Sequence, residues 1–238
     1  NHKNGERVRY VGGELAASAP VYAILDLDRR LDGVDLGDAG RLATANLGLQ
    51  PVRPDALKGY RLLWEGELRL TLDAFRDMGM ALGLALVAIF LLLVGYYRSF
   101  RLSGLALVPV PLGLIGVFPA HWLLDTTFSA ASMVGVIALA GVVIRNSLMI
   151  IDFIQDRLRT GVGLEDGLLD AGAVRLRPIL LTTLAIALGT WIMVPDPVFG
   201  GLAIALIFGA MSSAVFSLLL VPLLYRSLYR LDRMVGET

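Results

Sequence analysis

Long runs without charge alternate with short arginine-bearing connections along most of this chain. Residues 78–97 (MGMALGLALVAIFLLLVGYY) contain no charged side chain. At 1.5 Å rise per residue such a run covers the ~30 Å hydrocarbon core of a bilayer. Four further spans are predicted over 102–123, 128–153, 178–195 and 198–225. The second carries Pro109, Pro111 and Pro119, which a membrane helix tolerates when it packs against neighbours. The stretch 67–77 places Leu68, Leu72 and Phe75 on one helical face, so a helix entering the first span is expected over 67–97. Segment 154–177 (IQDRLRTGVGLEDGLLDAGAVRLR) has an apolar stripe of Leu164, Leu168, Leu169 and Val174. It reads as a separate amphipathic helix at the membrane surface, followed by Pro178 in the first turn of the next span.

The first 66 residues have a different pattern. RVRYV (7–11) alternates charged and apolar residues and suits a half-buried strand. PVYAILDLDRRLDG (20–33) fits a strand or a short helix equally. Gly33, Gly37, Gly40 and the Pro51/Pro54 pair mark loops. So few short elements make a thin core, and 1–66 is expected to complete a domain whose remainder is absent from the sequence. The expected fold class is an α-helical polytopic membrane protein with five transmembrane helices, preceded by a partial α+β segment.

Composition agrees with that division. Of 238 residues 56% are hydrophobic and 18% charged, with a mean hydropathy of +0.69; a soluble domain is about 45–50% apolar and about 25% charged. Residues 1–77 hold 11 of the 21 bases and 12 of the 21 acids. The net charge is zero, which removes the electrostatic case for nucleic acid as a partner. There is no cysteine, so thiol catalysis and disulfide frameworks are excluded. His2 and His121 are isolated, no P-loop, HExxH or GxSxG is present, and no cofactor motif appears. The first residue is Asn1 and no signal-peptide pattern follows, so a piece of a larger protein is expected.

Arginine sets the orientation. Arg98 and Arg101, then Arg157, Arg159, Arg175 and Arg177, then Arg226, Arg230 and Arg233 lie on one side. The loops 121–127 and 195–199 carry no Lys or Arg. The positive-inside rule makes the arginine side cytoplasmic, with 1–77 outside and 226–238 a cytoplasmic tail.

Arg145 is the one charge deep inside a span, about 12 Å from its cytoplasmic end by helical rise. An intramembrane guanidinium is expensive and marks an ion pathway by default, the alternative being a structural arginine satisfied by carbonyls and water. Asp125 and Asp196 lie in outer loops. Asp152 is seven residues further along, two turns nearer the cytoplasm and near Arg157. No acid of this chain stands at the depth of Arg145, so its counter-charge is expected from another helix. Asn146 and Ser147 follow it directly, and Gly141 lies one turn before. Thr182 and Thr183 are the polar residues of the next span, Thr182 on the face of Arg175. Threonines in such helices often only bond back to their own carbonyls. Gly201, Ala205, Gly209, Ser213 and Ser217 form a four-apart stripe of small residues, a close-packing signal.

Several segments together resemble one family. GVVIRNSLMIIDF, AGAVRLRPILLTTLAIALG, FRLSGLALVPVPLGLIGV and the terminal VPLLYRSLY are similar to the C-terminal half of resistance–nodulation–division (RND) efflux permeases, over about 67–230. YVGGELAASAPVYAILDLD (10–28) resembles the periplasmic porter region of one RND branch. The resemblance implies twelve spans of which these are the last five, a homotrimer, and drug–proton or metal–proton antiport in the bacterial inner membrane. It also implies a periplasmic adaptor protein and an outer-membrane channel as partners. By motif position it assigns Arg145, Asn146, Arg175 and Thr182 to a proton relay completed by two aspartates of a missing N-terminal half. Many relatives carry lysine at the position of Arg145; an arginine there is a fixed counter-charge, since it does not lose its proton. RND-fold protein secretion, lipid transport and a non-transporting scaffold are the alternatives. An enzyme has least support.

Overall fold

The computed structural model describes residues 2–3, 6–13, 20–37, 40–45, 47–49 and 61–236. The Pro51/Pro54 pair and positions 14–19 of the porter-like motif lie outside them. The chain divides into two units, 1–77 and 78–238.

In the first unit β1 (His2–Lys3) pairs antiparallel with β2 (Glu6–Arg7). The strand expected over 7–11 ends at Arg7. Tyr10 and Val11 are 62% and 93% exposed, so no face is there to bury the alternating pattern. The ambiguous segment from Pro20 is a helix, α1 (Pro20–Leu31). Gly33, Gly37 and Gly40 take φ of +80°, +67° and +83° in the loop beyond it, a conformation that costs glycine nothing. β3 (Ala43–Ala45) runs parallel to β4 (Arg61–Leu63), with Thr44 opposite Leu62. Two side-chain bonds tie α1 and its end to these strands. Trp64 Nε1 donates to Asp28 Oδ1 at 2.7 Å, and the Thr44 amide donates to Asp32 Oδ1 at 3.1 Å.

α2 (Glu67–Tyr97) carries the chain into the second unit. That unit continues with α3 (Phe100–Leu107), α4 (Pro109–Leu123), α5 (Ala130–Arg159), α6 (Leu164–Trp191) and α7 (Gly200–Gly236). Among the described residues five helical stretches are long and apolar enough to cross a membrane, α3 and α4 together making one. The span expected over 102–123 is broken at Val108, because Pro109 has no N–H for the helical ladder.

The segment 154–177 differs from its expected form. It is shared between the end of α5 and the first half of α6, with a turn at 160–163 where Gly161 has φ +85°. α6 then runs unbroken for 28 residues, and Pro178 sits in its interior rather than in a first turn. Leu168 and Ala171 are buried in the core with Ile150, Ile151 and Ile154 of α5, which holds the first turns of α6 in place. The Thr182 hydroxyl donates to the Pro178 and Ile179 carbonyls at 3.1 and 2.9 Å, bracing the helix just past the proline. Leu169 and Val174 of the expected stripe face outward, 73% and 50% exposed. The expected tail is also helical, since α7 continues to Gly236.

α7 is the centre of the bundle and packs against α4, α5 and α6. Its stripe of small residues is the reason. A Cβ on Gly209 would stand 2.9 Å from Val117 of α4. Ala205, Ser213 and Ser217 are fully buried. From the facing side, a Cβ on Gly135 of α5 would stand 2.9 Å from Ala205. Helices meet here at the separation small residues permit, and dispersion replaces the hydrophobic effect as the source of cohesion in lipid.

Candidate functional site

α5 has two unlike faces. Ser129 begins it with a capping box, its hydroxyl accepting from the Ser132 amide while the Ser132 hydroxyl accepts from the Ser129 amide. One face is buried through Val136, Leu139, Val143, Asn146, Ile150 and Ile154. The opposite face is open: Val134, Ala138, Gly141, Arg145 and Met149 are exposed. Their spacing of three and four puts them in one line.

Arg145 is the sixteenth of the thirty residues of α5, close to mid-helix. Among the described residues its side chain forms no ion pair and no hydrogen bond. Gly141, one turn away, has nothing within 4 Å of the place a Cβ would take. Asn146 turns inward and is 2% exposed, and Ser147 bonds back to the Val143 carbonyl at 3.1 Å. Arg145 and Asn146 are therefore neighbours in sequence on different faces.

Arg175 lies elsewhere. Its guanidinium stands 5.3 Å from the ring of Phe153, and Arg157 stands 5.2 Å from the same ring. Arg157 pairs with Asp170 at 3.2 Å. Phe153 is eight residues from Arg145, about 12 Å along the axis. The structure thus sets Arg175 beside Phe153 near the end of α5 and does not bring it to Arg145. The same contacts fix the register of α6 against α5. Residue 157 meets 170 and 153 meets 175, so stepping back along α5 to Arg145 is matched by stepping forward along α6 to Thr182 and Thr183. Thr183 is buried and Thr182 half-buried at that depth. Thr182 spends its hydroxyl proton on its own helix.

Two polar ties were invisible in the sequence. Asp152 accepts from the Tyr97 hydroxyl at 2.7 Å, across 55 positions of chain, and not from Arg157. His121, isolated in sequence, is buried between α4 and α5. Its Nδ1–H donates to the Val117 carbonyl at 2.9 Å, and Nε2 accepts from the Ser132 hydroxyl at 2.9 Å, a tautomer assigned from the carbonyl's inability to donate. No short-range pattern announces either contact. Together with the Arg226–Glu165 pair, the Tyr97–Asp152 bond gathers the arginine-bearing connections at one end of the bundle. Among the described residues no group of three His, Cys, Asp or Glu side chains is arranged to hold a metal ion.

The family model described as the AcrB/AcrD/AcrF family matches residues 53–229. The chain belongs to that family. The RND resemblance read in RNSLMIIDF and RLRPILLTT is borne out, as is a largely helical membrane-type fold. The cobalt-zinc-cadmium resistance protein CzcA of Cupriavidus metallidurans is 31% identical over 189 residues, covering 76% of this chain and 17% of CzcA. The multidrug resistance protein MdtC of Yersinia enterocolitica is 26% identical over 202 residues, covering 80% of this chain and 19% of MdtC. A crystal structure of a heavy metal efflux pump superposes with a TM-score of 0.55 at 29% identity, covering 62% of this chain and 15% of the pump. The chain therefore spans less than a fifth of the length of these relatives.

Proposed function

We propose that this chain forms part of the membrane domain of a proton-driven efflux permease, exporting metal ions or amphiphilic drugs from the bacterial inner membrane. The permease works as a homotrimer with a periplasmic adaptor and an outer-membrane channel. Residues 1–77 face the periplasm and the arginine-rich end faces the cytoplasm. The observation that carries this reading is Arg145: mid-helix, on an open line of α5, without a partner among the described residues. A guanidinium at the bilayer centre costs about 2.5–3.5 kcal/mol on insertion scales. Facing lipid, that cost would be wasted. Facing carboxylates of a helix outside this chain, it is offset.

Arginine stays protonated, so the absent acids carry the proton. Protonating a carboxylate weakens its attraction to Arg145. The helices that held each other through that pair then shift, and α2 passes the movement to the first unit. Asn146, Arg175 and Thr182 belong to the surroundings of this relay. Thr182 shares the depth of Arg145, while Arg175 anchors α6 from the cytoplasmic end.

The test uses the complete transporter in proteoliposomes with an imposed pH gradient. Zinc, read by a trapped zinc-sensitive dye, and ethidium serve as probe cargoes. Arg145→Ala is expected to abolish export with unchanged insertion. Export at the wild-type rate by that variant overturns the assignment.

A further inference from the structure

We propose that Tyr97 and Asp152 form a clasp through which α5 moves α2, making them positioning residues of the transport cycle; the inference rests on the proton-relay reading of Arg145. α2 is the helix least embedded in the bundle. Only 6% of its apolar stretch is buried, against 56% for that of α5. Its apolar hold on the core comes from Leu93, with Ile89, Tyr97 and Leu82 packed alongside. Smooth aliphatic contacts of this kind allow one helix to slide on another. The Tyr97 hydroxyl bonded to Asp152 Oδ1 at 2.7 Å does not, because a hydrogen bond to a carboxylate is short, directional and about twice as strong as a neutral one.

The location suits the task. Asp152 is seven residues beyond Arg145, about 10 Å along the same rigid helix and within about 20° of the same face. Any axial or rotational shift of α5 that follows a charge change at Arg145 is delivered at Asp152 without loss. Tyr97 is the last residue of α2, and the same unbroken helix begins at Glu67 in the first unit. Force applied at Tyr97 therefore reaches the segment that precedes the span. Without the clasp, α5 would move past α2 and the proton would be spent without work.

Tyr97→Phe removes one oxygen and leaves the ring packed, so it separates coupling from folding. In the complete transporter, zinc or ethidium export is expected to fall at least about tenfold, equivalent to about 1.4 kcal/mol of coupling. Proton uptake by the purified protein on acidification is expected to stay at the wild-type level. A spin-label pair on α2 and α5 should show a distance change on acidification in the wild type, and that change should lose its sharpness in Tyr97→Phe. Asp152→Ala should lose export likewise, and Asp152→Glu, which keeps a carboxylate acceptor for the Tyr97 hydroxyl, should retain part of it. Export within twofold of wild type in Tyr97→Phe overturns the proposal. So does a parallel loss of export and proton uptake, which would mean that the tyrosine serves the proton site itself. If Arg145→Ala exports normally, the underlying relay fails whatever Tyr97→Phe does, so the two failures are distinguishable.

Discussion

Gly116 tests the idea that the bundle is held by close backbone approach. A Cβ placed there would lie 2.4 Å from the Phe208 carbonyl oxygen and 2.5 Å from the Ser212 Cβ, where ordinary contact begins near 3.4 Å. Both obstacles belong to α7, and the first is backbone, which has no rotamer to escape into. Gly116→Ala therefore pushes α4 from α7 by about 1 Å along their seam, with overpacking of this kind costing about 1–3 kcal/mol. The same push strains the Ser212 hydroxyl bond to the Leu112 carbonyl, already 3.4 Å long. Alanine returns about 0.5–1 kcal/mol as the better helix former, so the net effect is a destabilisation of about 1–2 kcal/mol. The control is Gly83→Ala on α2, where nothing lies within 4 Å of the added carbon and the helix-propensity gain stands alone. The assay heats the detergent-solubilised transporter and reads the surviving monodisperse fraction by size exclusion. Gly116→Ala should lower the midpoint by several degrees and Gly83→Ala should leave it level or raise it. A Gly116→Ala midpoint equal to or above wild type refutes the packing account of α4 and α7.

Two further outcomes follow from named contacts. Gly141→Leu adds bulk where this chain has open space, one turn from Arg145; it should abolish zinc and ethidium export, and unchanged export would mean that this line of α5 faces lipid. Asp196 Oδ1 accepts from the Val198 and Phe199 amides at 2.8 Å each, and these bonds hold its carboxyl below the usual carboxylate range. A folded-state value lowered in this way contributes stability above the unfolded carboxylate pKa of about 3.9, and that contribution is lost as pH falls through the lowered value. Hydrogen exchange at the Val198 and Phe199 amides, corrected for intrinsic pH dependence, should show that loss of protection on acidification below about pH 4. In Asp196→Asn the loss should disappear; an identical profile in both proteins excludes the carboxylate as its cause.

The membrane body was largely readable because its signal is local. Absence of charge over twenty residues has one physical meaning, and the four-apart stripe of α7 specifies which face is buried before any partner is known. What stayed hidden was decided by tertiary partners. Pro178 reads as a helix start, yet α6 continues through it, because packing of Leu168 and Ala171 on α5 fixes the preceding turns. Residues 20–33 fit two periods, and the bonds from Asp28 and Asp32 to Trp64 and Thr44 join a helix to strands the pattern could not place. Asp152 was read against Arg157, its neighbour in sequence, whereas the donor it meets in space is the Tyr97 hydroxyl.

Arg145 behaves oppositely, and the difference carries the functional argument. Its isolation was legible from depth alone, and folding the chain does not relieve it. The buried side of α5 is finished: Gly135 meets Ala205, Leu139 reaches the α7 stripe, and the His121–Ser132 bond secures the N-terminal end. A helix so completely satisfied on one side has no structural need for a charge on the other. The open line has small residues, Ala138 and Gly141, directly before Arg145. Small residues let a neighbouring backbone come close, and a close backbone brings a short carboxylate side chain within reach of the guanidinium. A merely lipid-facing surface would require neither the arginine nor the room in front of it. On the proposed reading, both features serve an ion pair whose carboxylate is carried on a helix outside this chain.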